Sequence, residues 1–399
     1  MAEGPMSVGG QAILEGVMMR SPHSLAIAVR RPNGEIVVKE DAWHSVWERA
    51  RWLRKPFLRG AVVLFESMHN GVKALSFSAN EAARFVEDSD GNVRNPPARD
   101  QAAANSPDAS GKPSAVLRVG SEPQVAEAEE PALSSWAIAG TIALSAVFGF
   151  GLFAALPHFV TWLAGVTLGN ASLASGKDLG FQIVDGIVKI GFLVGYLALI
   201  SRMKDIKRVF QYHGAEHKSI YCYEDGKALT VENARKYKTL HPRCGTSFLL
   251  VTVVVSILLF SAVFPFLPEV SSHTWLNQLA YVFIKIPLMF PVAGIAYEMT
   301  RLSARFPSNP IVRAFTWPGL MLQHITTREP DDDQLEIALV ALQKTLWREE
   351  CLAKDQQVAQ ARGHLAAVEA RPAAAPEVFG TYGDFVTRLG GSLPASAST

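Results

Sequence analysis

The sequence predicts a mainly α, multi-pass membrane protein of about four spans, with a small cytosolic β-hairpin element and a C-terminal cytosolic helix. Three features carry this reading: long blocks without charge, a basic stretch between the second and third of them, and an alternating apolar run around an Asn-Gly turn near the N-terminus.

The N-terminal segment, 1–86, reads as a cytosolic β element followed by membrane-surface helices. It opens "MAEGPMSVGG", with neither a basic start nor an apolar core, so it does not read as a secretory signal peptide. In "LAIAVRRPNGEIVVK" (25–39) apolar residues alternate on both sides of Pro-Asn-Gly, which predicts two short strands joined by a tight turn. The following stretch, to about residue 81, mixes Arg and Lys with Trp, Phe and Leu. It suits helices lying on an anionic membrane surface or an amphipathic helix packed on protein. Residues 87–131 are rich in Asp, Glu, Ala, Pro, Ser and Gly and read as a disordered linker.

The first two spans are placed in 132–201. Trp136 to Gly176 contains no Asp, Glu, Lys or Arg, and Gly180 to Ser201 carries only Asp185 and Lys189, four apart on one helical face. The last two are placed in 247–300. Cys244 to Pro268 is uncharged, and Leu276 to Tyr297 carries Lys285 with Pro287 and Pro291. Between the pairs, 202–246 forms a loop with ten Lys or Arg from Arg202 to Arg243, while the short connections at 170–181 and 266–275 hold Lys177 and none respectively. The Lys/Arg excess marks the cytoplasmic side, which puts both termini inside an inner or plasma membrane. Residues 301–370 then form a cytosolic region with a helix beginning after Pro330, and 371–399, rich in Ala and Pro, read as a disordered tail. Cys222, Cys244 and Cys351 are odd in number and lack paired spacing, which does not make a disulfide framework. The net charge of +1, with no basic tail or aromatic-basic repeat, argues against a nucleic-acid partner.

The chemistry gathers in the loop. "YHGAEHK" (212–218) places His213, Glu216 and His217 within an arc of about 100° on a helix. Two imidazoles with a carboxylate beside them suit a divalent metal, zinc by donor type, with Glu216 as general base in the manner of H-x-x-E-H metallopeptidases. "LHPRCGTSFLL" brings His241 and Cys244 to the start of the third span, and "AGIAYEMTRLSARF" brings Glu298 and Arg301 to the end of the fourth. The expected metal ligands are therefore His213 and His217, with His241 the third and Glu298 or Cys244 as further candidates. Arg243 or Arg301 could hold a phosphate or carboxylate.

Each residue has a plainer reading: the histidines as surface residues of a polar helix, Cys244 as a small core residue, and Glu298 as the partner of Arg301. His158 and His324 stand apart from the cluster. A closed set of His213, His217, His241 and Cys244 would instead make a structural zinc site in a membrane scaffold or assembly protein. A transporter is a third reading, with Asp185 and Lys285 too few to define an ion path.

Five ordered blocks carry a resemblance: "GGQAILEGVMMRSP" (9–22), "YHGAEHKSIYCYE" (212–224), "HPRCGTSFL" (241–249), "GIAYEMTRL" (294–302) and "TTREPDDDQLEIA" (326–338). Together they resemble the bacterial YqhQ-like membrane proteins. The resemblance implies a multi-pass membrane protein with a shared His/Glu/Cys centre, in a family described as predicted metal-dependent enzymes, and does not imply a particular reaction. It also draws in the N-terminal block, where Glu15 and Arg20 offer a carboxylate and a guanidinium near the cytosolic face.

The expected activity is that of a metal-dependent hydrolase at the cytosolic membrane face. Membrane lipids would surround it, and a lipid head group or membrane-anchored peptide would be its substrate. The residues define no oligomeric state.

Overall fold

The computed structural model describes residues 6–43, 55–83, 135–306, 309–361 and 375–390. The expected linker at 87–131 and the basic segment at 44–54 lie outside the described residues.

Near the N-terminus, β1 (Gly9–Ile13), β2 (Gly16–Arg20), β3 (Ser24–Arg30) and β4 (Ile36–Ala42) form an antiparallel meander. The hairpin expected at 25–39 is β3–β4, whose turn places Gly34 in the left-handed region at φ 90°. Alternation divides the sheet's side chains cleanly. Val17, Met19, Ala28, Ile36 and Val38 point to one face, and Met18, Leu25, Ile27 and Val29 to the other, and all are buried. A sheet buried on both faces needs cover on both. The 26-residue α1 (Leu58–Ala83) supplies it on one side through Ala74 and Phe77, so the interrupted stretch read as surface helices is one continuous helix packed on protein. Its far end is held by Arg31, which donates to Glu81 at 2.8 Å.

Four helices are long and apolar enough to cross a membrane, at Ala143–Thr167, Leu179–Ile200, Gly245–Phe266 and Thr274–Ser303, which makes this a membrane protein with the expected number of spans. The first is built from the end of α2 (Ser135–Phe150), a π-helical turn at Gly151–Ala155 and α3 (Leu156–Thr167). A short α4 (Ala171–Ser175) leads to α5 (Leu179–Ile200), the second span. After the polar α6 (Lys204–Glu224) and the short α7 (Val231–Arg235), α8 (Gly245–Val263) and the 32-residue α9 (Thr274–Arg305) complete the bundle. Phe260, Phe264, Tyr281 and Val292 lie at the core of the α8–α9 contact.

Beyond the bundle, α10 (Pro310–Thr326) packs on α8, and α11 (Asp332–Ala361) runs across the second face of the sheet beside α6. From Ile337 to Leu342 every residue of α11 is fully buried, as befits a helix enclosed by sheet on one side and helices on the other. Its Arg348, also buried, pairs with Glu40 of β4 at 3.4 Å.

The chain corrects one expectation here. Within the stretch read as a disordered tail, β5 (Glu377–Phe379) adds to β4 as the fifth strand of the sheet, and α12 (Tyr382–Gly390) seats Phe385 and Leu389 in the same core as α6 and α11. A three-residue strand has no local periodicity to reveal it. It is stabilised by its partner strand and by the edge-on contact of Phe379 with Phe385 at 5.3 Å. Truncating fully buried Phe385 to Ala is expected to remove about 3 kcal/mol or more of local stability and to speed proteolysis of the C-terminal segment in the full-length protein. Val378→Ala, at an exposed position, should leave the digestion unchanged, and equal digestion of both variants would show that the segment is not docked.

Candidate metal centre

The centre is assembled on α6. His213 and His217 lie one turn apart on one face, their rings 4.5 Å between centroids. Between them Gly214 turns toward the chain that leaves α10, where a Cβ would stand 2.0 Å from the Arg328 carbonyl oxygen. Glycine is therefore required for α6 to approach this closely. The approach lets the Arg328 amide donate to Phe210 O at 2.9 Å and brings the Thr326 carbonyl within 2.8 Å of His213 Nδ1. On the other ligand, His217 Nδ1 faces the Thr239 carbonyl.

A carbonyl only accepts, so both Nδ1 atoms carry the proton and both Nε2 lone pairs are left bare. His213 Nε2 lies 3.1 Å from Cys244 Sγ, whereas His217 Nε2 is buried with no hydrogen-bond partner. Burial holds His217 below the ordinary imidazole range, which keeps it a neutral donor. Cys244 is the N-cap of α8, its sulfur accepting from the Thr246 amide at 3.4 Å, a helix terminus that favours a negative group. The coordinating atoms of His213, His217 and Cys244 all lie within 4.8 Å of one another. Two imidazole nitrogens and a sulfur form a donor set suited to zinc, and an orphaned buried Nε2 is the polar atom a metal would satisfy.

The expected third ligand, His241, is next to this group but outside it. Its ring lies 5.5 Å from that of His217, and its Nδ1 accepts the Arg243 amide at 3.2 Å. That bond leaves the proton on Nε2, where a metal would have to bind, so the second partner of the imidazole works against ligation. Burial pushes His241 down to about 4, against the pull of Glu216. Its backbone is clamped by fully buried Gln323, which accepts from His241 N at 2.8 Å and donates to His241 O at 2.8 Å and Ser247 Oγ at 2.9 Å.

Glu216 faces the sheet. A Cβ at Gly10 would stand 2.8 Å from its carboxyl carbon, and the Gly10 amide donates to it. Burial raises this carboxyl above the usual carboxylate range, while His213 and His241 draw it back down. It is a buried carboxyl beside the histidines and not a fourth member of the tight set.

The remaining expected residues are distributed around this centre. Glu15, in the left-handed region at φ 50°, takes Arg208 on both carboxylate oxygens at 2.5 Å and the Tyr212 hydroxyl at 3.3 Å, fixing the β1–β2 turn to α6. Arg20 lies 5.0 Å from the centroid of the Trp43 ring, and burial lowers its ordinarily high pKa. Arg243 pairs with Glu224. Glu298 pairs bidentately with Arg59 of α1 and not with Arg301, which is exposed. Neither Glu298 nor Arg301 belongs to the tight group, and Arg59 of α1 takes the carboxylate.

Thr239 and Gln323 act through backbone or amide groups and carry no sequence signal of their own, whereas Thr326 and Gly10 lie in two of the five resemblance blocks, and a glycine at position 10 suits close backbone approach. A cleft of about 560 Å³ adjoins Thr239 and Thr327 and is lined by Lys218, Lys238, His324, Arg328 and Glu329.

The family described as "Protein of unknown function (DUF1385)" matches residues 55–348, a stretch that includes the whole tight group. The chain is also similar to the "Uncharacterized protein YqhQ" of Bacillus subtilis (strain 168), 32% identical over 357 residues that cover 88% of this chain and 96% of that protein. No solved structure matches the chain.

Two outcomes follow from the geometry. Gly214→Ala should push α6 from the 326–328 chain and weaken zinc binding tenfold or more in competition with a chromophoric chelator; unchanged affinity would mean that the Thr326 carbonyl does not orient His213. In metal-free protein, His217 and His241 are buried neutral, so the unfolded chain binds more protons in mild acid. Stability is then full above about pH 6.5 and falls as pH drops toward about 4, with His241 contributing on the order of 3 kcal/mol. His241→Gln should flatten the dependence of Tm on pH between 6.5 and 4.5, and an unaltered profile would exclude this origin.

Proposed function

We propose, from the premise that the chain belongs to the DUF1385 family, that it is a metal-dependent membrane enzyme, a hydrolase working through the H-x-x-E-H segment of α6. The observation that carries this reading is the convergence of two Nε2 lone pairs with Cys244 Sγ beside a buried carboxylate that is not needed as a ligand. In this reading His213, His217 and Cys244 hold a divalent metal, zinc by donor type, whose chemistry is to polarise a carbonyl or phosphoryl oxygen and to acidify water. Thr326 and Thr239 keep the two imidazoles in the ligating tautomer. Glu216 accepts the proton of the attacking water at a carboxylate oxygen and returns it to the leaving group, a role suited to a carboxyl raised by burial. Lys218, Lys238 and Arg328 make the adjoining cleft cationic, which favours an anionic substrate such as a lipid head group or a membrane-anchored peptide. The Lys/Arg excess of the 202–246 loop supports a cytoplasmic location for the centre at the cell membrane, with both termini inside.

A second reading keeps the metal and removes the reaction. The Nε2 of His241 is buried with no hydrogen-bond partner among the described residues and has Glu224 Oε2 3.6 Å away, so a turn of that ring would close a four-ligand structural zinc site. The Arg243 amide on Nδ1 opposes it.

Metal analysis of the purified full-length protein separates the two. The enzyme reading expects one zinc per chain, retained in Glu216→Gln, with hydrolysis of a synthetic phosphodiester or acyl ester at the membrane surface reduced at least a hundredfold. If Glu216→Gln leaves hydrolysis unchanged while Cys244→Ser unfolds the protein, the structural reading replaces it. A protein that neither contains nor takes up zinc overturns both.

A further inference from the structure

A second polar centre is buried among the spans, toward their other end. Asp185 of α5 accepts on Oδ2 from Lys189 at 2.6 Å and from Lys285 of α9 at 2.8 Å. Lys285 Nζ also lies 2.9 Å from Nδ1 of His158 on α3, whose Nε2 is 3.0 Å from Gln278 Oε1. Asp185, His158 and Gln278 have no exposed surface, and Lys285 is 1% exposed. Three spans therefore meet through a continuous series, Asp185–Lys285–His158–Gln278. Phe260 of α8 and Phe264, just beyond its end, lie over the ammonium groups at 5.4 to 5.7 Å and contribute no counter-charge.

The hydrogen-bond directions can be assigned from the free end. Gln278 Nε2 donates to the Ala174 carbonyl at 3.0 Å, so its Oε1 must face His158 and accept from Nε2–H. His158 Nδ1 is then a lone pair, and Lys285 donates to it. One ammonium thus donates to a carboxylate and an imidazole together, while a second ammonium shares the same carboxylate oxygen. With both lysines charged and His158 neutral, the cluster holds one positive charge more than it can balance in a medium that penalises it heavily. Two buried acceptors, Asp185 Oδ1 and Gln182 Oε1, have no donor, and Gln182 reaches from α5 to the Gly176 carbonyl in the α4–α5 connection. Tyr281, four residues before Lys285 on α9, has a buried hydroxyl with no hydrogen-bond partner among the described residues. The pair Lys177–Glu269, 3.4 Å apart, is exposed at this end of the bundle.

The geometry points to a proton-binding relay in the membrane, in which Lys285 passes a proton to His158. The Nζ–H bond breaks, an Nδ1–H bond forms, and the positive charge moves from ammonium to imidazole with no change of heavy-atom partners. The imidazolium can then release its Nε2 proton to a water entering at the Ala174–Gly176 connection, with the Gln278 amide swinging away from the freed lone pair, which leaves the series neutral. A fixed ion pair holding α5 to α9 needs one lysine and one aspartate; it explains neither the second ammonium nor the imidazole placed in line with Lys285.

The test is nitrogen NMR of full-length protein in lipid nanodiscs, labelled with 15N at lysine Nζ and titrated from pH 5 to 9. Surface lysines stay charged throughout, with values of about 10.4. One lysine signal is expected to titrate within the range, to vanish in Lys285→Gln, and to shift its midpoint by a pH unit or more in His158→Gln. If no lysine of the wild type titrates below pH 9, or if the titrating signal persists in Lys285→Gln, the relay is overturned and the cluster is a static ion pair. The wild-type titration decides even where a variant fails to fold.

Discussion

The arrangement depends on one constraint: an imidazole is held ready to bind a metal through Nε2 when an acceptor fixes the proton and the ring orientation at Nδ1. Here two backbone carbonyls do so, Thr326 for His213 and Thr239 for His217, and neither belongs to the helix that carries the histidines. Much of the surrounding architecture serves to bring those carbonyls into place. Gly214 removes the Cβ that would keep α6 from the 326–328 chain, and Gln323 ties the 241–247 segment to α10. His241 differs in that its Nδ1 faces a donor, the Arg243 amide, instead of an acceptor.

The four spans and the β3–β4 hairpin were legible because hydrophobic length and alternation are local properties. The pairing of His213 with His217 was legible for the same reason, since helical spacing alone puts them on one face. Which residue completes the set was not. His241 and Cys244 lie three apart in a turn, where spacing says nothing of direction, and only the N-cap geometry at α8 turns the sulfur inward. Glu298 was read against its helical neighbour Arg301, yet Arg59, 239 positions earlier in the chain, takes it instead. The fifth strand was missed because three residues in an Ala- and Pro-rich stretch acquire their structure only from a distant partner.

One helix links the two polar centres. The N-terminus of α8 supplies Cys244, and its far half supplies the aromatic face over Lys189 and Lys285. The cluster around Asp185 shows how a single pair of residues can understate a site. From sequence, Asp185 with Lys189 looked like a neutralised pair and His158 looked isolated. The fold brings Lys285 and His158 into line with the carboxylate and leaves the charge unbalanced. Buried charge of this kind is costly and persists in membrane proteins chiefly where it has work to do.

The most direct test of the central claim is X-ray absorption at the zinc edge of zinc-loaded full-length protein. The account expects a mixed shell of imidazole nitrogen at about 2.0–2.1 Å and one sulfur at about 2.3 Å, with the sulfur component lost in Cys244→Ser. A shell of nitrogen and oxygen alone, the same in both proteins, would contradict it.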